Sequence, residues 1–74
     1  MSGHNKLIEY GYTLDKYDGF DYYDCGRTGI HIFDNNLVKV QYGAVEAVHL
    51  SPLIIEAIYL ILKERGAYND ALPE

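Results

Sequence analysis

Cysteine is nearly absent from the sequence, and its scarcity limits how the chain can be stabilised. The 74 residues include one cysteine, Cys25, so no disulfide can form within the chain. A free thiol is typical of a reducing compartment, and we therefore expect a cytoplasmic, intracellular protein. A structural zinc ion is not expected to stabilise the fold in place of a disulfide, because the cysteine and the three histidines lack the close paired spacing of structural zinc sites. We expect neither a metal nor a cofactor.

Positive charge is also scarce. Six Lys and Arg residues stand against eleven Asp and Glu residues, which gives a formal net charge of -5 at pH 7. Proteins that bind DNA or RNA phosphates need clustered Lys and Arg, so direct nucleic-acid binding is not expected. The acidic balance favours a partner protein with a basic surface.

Long apolar runs are missing as well. The longest, residues 53–62, is interrupted by Glu56 and reaches about half the length of a membrane span, so no membrane segment is expected. Yet 49% of the residues are hydrophobic, in a chain of 74 residues that lies near the lower limit for a single stable core. Without a disulfide or a metal, such a chain gains buried area most readily by self-association, and we expect a homo-oligomer.

The residues that are present indicate an α+β domain. Apolar and polar residues alternate through 29–42 on both sides of the turn sequence at 34–36, which predicts a β-hairpin with one covered face and one wetter face. Residues 7–14 are rich in strand formers and predict a first strand. Residues 44–50 fit either a further meander strand or a short helix.

A C-terminal helix is predicted from about residue 52 to about residue 65. Ser51 is a favoured N-cap, Pro52 suits the first helical position, and Gly66 can close the helix in a left-handed conformation. The expected architecture is therefore a single domain over residues 1–74. It has a small antiparallel meander of three to four strands packed against one C-terminal α-helix, with flexible ends at 1–5 and 67–74.

The predicted helix is apolar most of the way round. One sheet covers only one side of such a helix, so the remaining apolar residues are expected to border a self-association surface, most simply in a two-fold dimer. These interface residues are Leu53, Tyr59 and Leu60. The alternative is that the N-terminal segment folds over the helix and completes a monomeric core.

Residues 15–24, with the sequence DKYDGFDYYD, combine four aspartates with four aromatic residues. Their spacing fits neither a calcium loop nor a helical pair of carboxylates for acid–base catalysis. Because Asp-Gly sequences interrupt regular structure, we expect an irregular acidic segment between the first strand and the hairpin. Tyrosine is enriched in binding surfaces. The predicted partner-binding residues are Asp18, Asp21, Asp24, Tyr17, Phe20, Tyr22 and Tyr23.

Two other kinds of site receive less support. The glycine-bracketed Arg27 and Thr28 could hold a phosphate, although the loop lacks the spacing and lysine of a P-loop. Cys25 could serve as a catalytic nucleophile with His31 or His49 as its base. However, no group that would orient the base and no oxyanion donors are recognisable. We therefore expect no catalytic residues and no enzymatic activity.

The leading hypothesis is a small acidic interaction protein that binds another protein and inhibits or modulates it. In size, acidity and lack of a catalytic motif the chain is similar to phage-encoded inhibitors of host defence systems, some of which present surfaces that mimic nucleic acid. This is a similarity of class and not of motif. The alternative is an oligomeric protein that binds or sequesters a nucleotide or cyclic nucleotide through Arg27 and Thr28.

Overall fold

The computed structural model describes residues 2–42 and 50–68 and shows an α+β fold. Its four strands form one antiparallel sheet in the meander order β1-β2-β3-β4. The predicted fold class is thus confirmed, with an additional helix at the N-terminus. In chain order the elements are α1 (Gly3–Glu9), β1 (Thr13–Tyr17), β2 (Phe20–Asp24), β3 (Thr28–Phe33), β4 (Val38–Tyr42) and α2 (Pro52–Glu64).

The N-terminal helix replaces part of the predicted first strand. Residues 7–9 belong to α1, so a strand over 7–14 is wrong there, and β1 starts only at Thr13. The Ser2 hydroxyl caps the helix by accepting from the Asn5 N–H at 3.0 Å. Residues 2–5, which were expected to belong to a flexible end, therefore form the cap and first turn of α1. Burial of Leu7 in the core outweighs the strand propensity of this segment.

Both helices end in the same hydrogen-bonded motif. After α1, Gly11 adopts a φ of +98° and the Tyr12 N–H donates to the Leu7 carbonyl at 3.0 Å. After α2, Gly66 adopts a φ of +79° and the Ala67 N–H donates to the carbonyl five residues earlier at 2.9 Å. These are Schellman caps, which favour glycine because L side chains are strained at positive φ. Together with the Ser51 N-cap, they confirm the predicted C-terminal helix.

The acidic segment 15–24 is a β-hairpin. Tyr17 on β1 pairs with Phe20 on β2, so Asp18 and Gly19 form a two-residue turn in which Gly19 has a φ of +93°. The prediction of an irregular segment is therefore wrong. An Asp-Gly pair interrupts a helix or a strand, but between two strands it is a favoured hairpin turn.

The second hairpin is confirmed. The Phe33 N–H donates to the Leu37 carbonyl at 2.9 Å, and Asn36 occupies the left-handed region at a φ of 69°. The Asn35 side chain accepts from the Leu37 N–H at 3.1 Å, which fixes the turn. The strand or helix predicted over 44–50 falls outside the described residues, except for Leu50.

The hydrophobic core lies on one face of the sheet. Ile30 and Ile32 alternate along β3 and are fully buried. Each buried side chain of this size contributes about 1.5 to 3 kcal/mol to folding. Both helices contribute to the same cluster, so both cover the same face of the sheet. The core residues are Leu7, Tyr12, Tyr23, Ile30, Ile32, Ala57 and Ile61.

The two helices approach each other closely at Gly3. A Cβ atom at this position would lie 2.6 Å from the Ile61 backbone nitrogen, and the Ala57 carbonyl oxygen would be closer still. Glycine is therefore required at the crossing for steric reasons. Polar contacts flank it: the Gly3 N–H donates to the Glu64 carboxylate at 3.0 Å, and Lys6 pairs with Glu56 at 3.3 Å. Within the described residues, neither helix has the length and apolar character needed to cross a membrane.

We expect Gly3→Ala to lower the free energy of unfolding by about 1 to 3 kcal/mol, because the added methyl group meets backbone atoms that cannot move aside. Asn5→Ala on the exposed side of α1 is the matched control, since it brings the same residue into the same helix without the clash. Urea denaturation followed by circular dichroism measures both. A Gly3→Ala protein at least as stable as the wild type would contradict the close crossing.

Candidate functional site

The outer face of the sheet, opposite the helices, is the candidate site. Strand register places three cross-strand rows of residues on this face. The first row is Thr13, Asp24, Gly29 and Gln41; the second is Asp15, Tyr22, His31 and Lys39; the third is Tyr17, Phe20 and Phe33. The helices that bury the other face leave these rows uncovered by any described element.

Five rings on the outer face form one continuous cluster, here called the outer ring cluster. Its members are Tyr17, Phe20, Tyr22, His31 and Phe33. Tyr17 and Phe20 stack with their centroids 5.1 Å apart and their planes at 19°. Tyr22 and His31 are closest, with centroids 4.6 Å apart. Such pairs contribute about 0.5 to 1.5 kcal/mol beyond the area they bury.

Tyr22 also covers a glycine. A Cβ at Gly29 on the neighbouring strand would lie 2.6 Å from the Tyr22 ring and hydroxyl. The ring thus packs directly on the backbone of β3 and protects a strand position that has no side chain of its own. Burial raises the pKa of the Tyr22 hydroxyl, and the nearby Asp24, Tyr17 and Asp15 raise it further. Negative charge is therefore concentrated around this part of the cluster.

The charges of the outer face are separated across the sheet. Asp15 lies on the β1 side and Lys39 on the β4 side of the central row. The turns at the end of the third row carry Asp18 and Asp34, and the Asp34 N–H donates to the Gly19 carbonyl at 3.0 Å, which brings the two turns together. The Tyr17 end of the cluster is therefore bordered by carboxylates.

The structure divides the seven predicted partner-binding residues between two faces. Tyr17, Phe20 and Tyr22 lie in the outer ring cluster, with Asp18 in the adjoining turn and Asp24 in the first row. Tyr23 lies on the covered face, where 3% of it is exposed and its hydroxyl shares a 2.9 Å hydrogen bond with His4. Asp21 also points to that face, towards Lys16 and Arg65, each at 3.8 Å. Asp21 and Tyr23 are thus separate from the surface formed by the others.

Two members of the cluster were missed in the sequence. His31 and Phe33 alternate with the buried Ile30 and Ile32, so the period of two already placed them on the outer face. The sequence did not reveal that three more rings, Tyr17 from β1 and Phe20 and Tyr22 from β2, lie beside them. The signal for this arrangement is the Asp18-Gly19 pair, because a hairpin turn at these two residues pairs β1 with β2.

A cleft of about 450 Å³ lies on the opposite side, between the sheet and the helix ends. Polar groups of this cleft already have partners within the chain. Asp21 pairs with Arg65, the Tyr23 hydroxyl forms a hydrogen bond with His4, and the Arg65 guanidinium also donates to the Phe33 carbonyl at 2.9 Å. Burial raises the pKa of the Tyr23 hydroxyl, and Asp21 adds to this effect. These contacts fasten α2 to the sheet, which is a structural role.

The Gly-Arg-Thr loop lies beside a hollow of about 290 Å³ that includes Tyr22, Asp24 and Arg27. The N–H groups that a phosphate would need are engaged within the chain. Gly26 N–H donates to the Asp24 carboxylate at 2.9 Å. Because its carboxylate accepts this hydrogen bond, Asp24 occupies the position that a bound anion would take.

The Cys25 thiol lies in the same loop. Burial tends to raise the pKa of this thiol, but hydrogen bonds from the Arg27 and Thr28 backbone and the Tyr12 side chain lower it below its ordinary value.

The predicted oligomer residues lie on α2. Leu53 is 56% exposed and Tyr59 is 46% exposed, whereas Leu60 is half-buried. Ile55, at 54% exposure, lies one turn before Tyr59 and forms an exposed apolar strip with it. Tyr59 also contacts Tyr68, with ring centroids 5.3 Å apart. The helix therefore presents exposed apolar side chains away from the sheet.

The chain matches no protein-family model, no curated protein and no solved structure. Within the described residues, no three His, Cys, Asp or Glu side chains come together in an arrangement that could hold a metal ion. Function is therefore inferred from the geometry of the two exposed surfaces.

Tyr12 provides a test of the core beneath the site. Burial raises the pKa of Tyr12 to about 12, and the neighbouring Cys25 adds to the shift. The unfolded chain therefore loses this proton first, so the free energy of unfolding falls as the pH rises from about 10 to about 12, by roughly 2 kcal/mol for this group. Below about pH 10 the group contributes no pH dependence.

We expect Tyr12→Phe to show a smaller loss of stability across this alkaline range than the wild type. Urea unfolding at intervals from about pH 9 to about pH 12 gives the free energy of unfolding of each protein. The lysines are common to both, so their titration cancels in the difference. An equally steep decline in both proteins would show that Tyr12 is not buried in its neutral form.

Proposed function

We propose that this chain is a small interaction protein whose outer sheet face binds a partner protein with a basic surface, and thereby inhibits or modulates that partner. The observation that carries the proposal is the outer ring cluster on a face that no described element covers. Protein-binding hot spots are enriched in aromatic residues and lie at the centre of the interface with a polar rim. Rings at the centre and carboxylates at the edge follow this arrangement.

The rings are also held in place before binding. Cross-strand stacking and the contact of Tyr22 with Gly29 restrict their rotamers, so little side-chain entropy is lost when a partner docks. A sheet positions side chains more rigidly than a loop does. The net charge of -5 and the carboxylates at the Tyr17 end favour encounter with a basic partner.

The narrower form of the proposal is a phage-type inhibitor of a host defence system that acts in the cytoplasm. It is supported by the small size, the acidity and the exposed free thiol of Cys25, which persists in a reducing compartment. An acidic face with stacked rings is also suited to occupying a basic site on a partner that itself binds nucleic acid.

We assign self-association to the other surface. The exposed strip of Ile55 and Tyr59, which lie one turn apart on α2, faces away from the sheet and is suited to a two-fold helix pair, with Leu53 at its border. Because the strip and the outer ring cluster lie on opposite sides of the fold, a dimer through α2 leaves both outer faces free. Dimerisation then presents two docking faces to a partner.

The alternative, a nucleotide-binding protein, receives less support. The hollow beside Arg27 offers Tyr22 as a stacking surface, which is the observation in its favour. However, Asp24 borders that hollow and already accepts the Gly26 N–H. A phosphate at this position would meet a carboxylate where it needs a donor.

Two tyrosines of similar exposure allow a matched test. Tyr17→Ala removes a ring from the outer face, and Tyr59→Ala removes one from α2, where the exposed fractions are 54% and 46%. The wild-type chain, immobilised, captures its partner from a lysate of the source cells, and the affinity of each variant for the isolated partner is then measured. We expect Tyr17→Ala to weaken binding about tenfold or more, as for a central aromatic anchor.

Tyr59→Ala serves as the control in the same experiment. It should leave the affinity for the partner within about twofold, while shifting the self-association equilibrium towards monomer in sedimentation analysis. Thermal unfolding of both variants establishes that each is folded. A larger loss of partner affinity from Tyr59→Ala than from Tyr17→Ala would place the docking surface on α2 and contradict the proposal.

A further inference from the structure

The Tyr17 and Phe20 rings offer a flat surface at the turn end of the outer face. They flank the Asp18-Gly19 turn, and their planes are within 19° of each other. Tyr17 is 54% exposed, so one side of the stack is accessible. The face of an aromatic ring carries partial negative charge and attracts cations.

Three exposed aspartates lie at positions next to this stack. Asp15 precedes Tyr17 by two residues on the same face, Asp18 follows it in the turn, and Asp34 is brought close by its hydrogen bond to Gly19. The ion pairs among the described residues are Lys6 with Glu56, and Asp21 with Lys16 and with Arg65. None of these three carboxylates is part of an ion pair there.

Nearby cations lie elsewhere on the sheet. Lys39 is on β4, two strands away from Phe20, and Lys16 belongs to the covered face, where it pairs with Asp21. The Tyr17 end of the outer face is therefore both aromatic and electronegative. Its charge complements a cation and opposes a phosphate.

We infer that the Tyr17 and Phe20 stack binds an arginine side chain of the partner protein, with Asp15, Asp18 and Asp34 as the surrounding acceptors. A guanidinium is planar, so it can stack on the rings while its N–H groups point outward to the carboxylates. Lysine offers a compact charge that does not stack in this way. The inference rests on the proposed function, since it names the group by which the partner is recognised.

The test uses a defined probe in place of the whole partner. The ¹⁵N-labelled protein is titrated with a capped Gly-Arg-Gly-Arg-Gly peptide at low salt, and backbone amide shifts are followed by NMR. We expect the largest shifts at Tyr17, Asp18 and Phe20. The same peptide with citrulline, which keeps the shape of arginine without its charge, should produce no saturable shifts, and the lysine peptide should bind about threefold or more weakly.

Variants separate site binding from general attraction to an acidic protein. Asp15→Asn and Tyr17→Ala should each weaken the arginine peptide about threefold to tenfold. Glu9→Gln removes the same charge from α1, at an exposed position on the other side of the fold, and should have little effect. Equal losses from Asp15→Asn and Glu9→Gln, or equal binding of the lysine peptide, would overturn the assignment.

Two further outcomes distinguish this inference from the proposed function. If the arginine peptide does not shift the Tyr17 region while Tyr17→Ala still abolishes capture of the partner, the docking face stands and the arginine assignment fails. If Tyr17→Ala changes neither the binding of the arginine peptide nor the capture of the partner, the docking face and the arginine assignment both fail. Saturable binding of oligouridylate at the same rings would show that the stack holds nucleobases, and this too would overturn the assignment.

Discussion

The close contact of Gly3 with the backbone of Ala57 and Ile61 brings the two helices into one layer on one face of the sheet. A larger residue at this crossing would force α1 away from α2 and uncover the core around Leu7. Because both helices are used on the same side, no described element remains to cover the other side. The exposed outer face is therefore a direct consequence of how the helices pack.

That outer face is stabilised from within. Strand pairing brings rings from β1, β2 and β3 together, and each ring covers part of the next, so the cluster persists in water. The same pairing separates two kinds of carboxylate. Asp21 points to the covered face and helps to hold Arg65 and α2, whereas Asp15 and Asp18 stay exposed beside the rings. One acidic segment thus contributes to stability on one face and, in our proposal, to recognition on the other.

Signals that act locally allowed part of the fold to be predicted from the sequence. Ser51, Pro52 and Gly66 define α2 through capping, and the alternation around the turn at 34–36 defines the β3–β4 hairpin. The N-terminal helix carried equivalent signals in Ser2 and Gly11. It is only seven residues long, however, and helices of that length depend on tertiary packing more than on propensity.

The candidate site was predicted only in part, for a related reason. Tyr22 and Tyr23 are neighbours in sequence but lie on opposite faces, and only strand register decides which of them is exposed. That register follows from the two-residue turn at Asp18 and Gly19. Without it, the aromatic residues of the segment could be recognised as a group but not assigned to a face, and His31 and Phe33 on β3 could not be joined to them.

We propose that the outer ring cluster is the docking surface for the partner protein. Hydroxyl-radical footprinting of the chain, alone and in complex with the captured partner, tests it most directly because aromatic side chains react readily when exposed. We expect Tyr17, Phe20 and Tyr22 to become protected in the complex, while Tyr59 reacts as it does in the free protein. Protection of Tyr59 and Leu53, with the outer ring cluster unchanged, would contradict it.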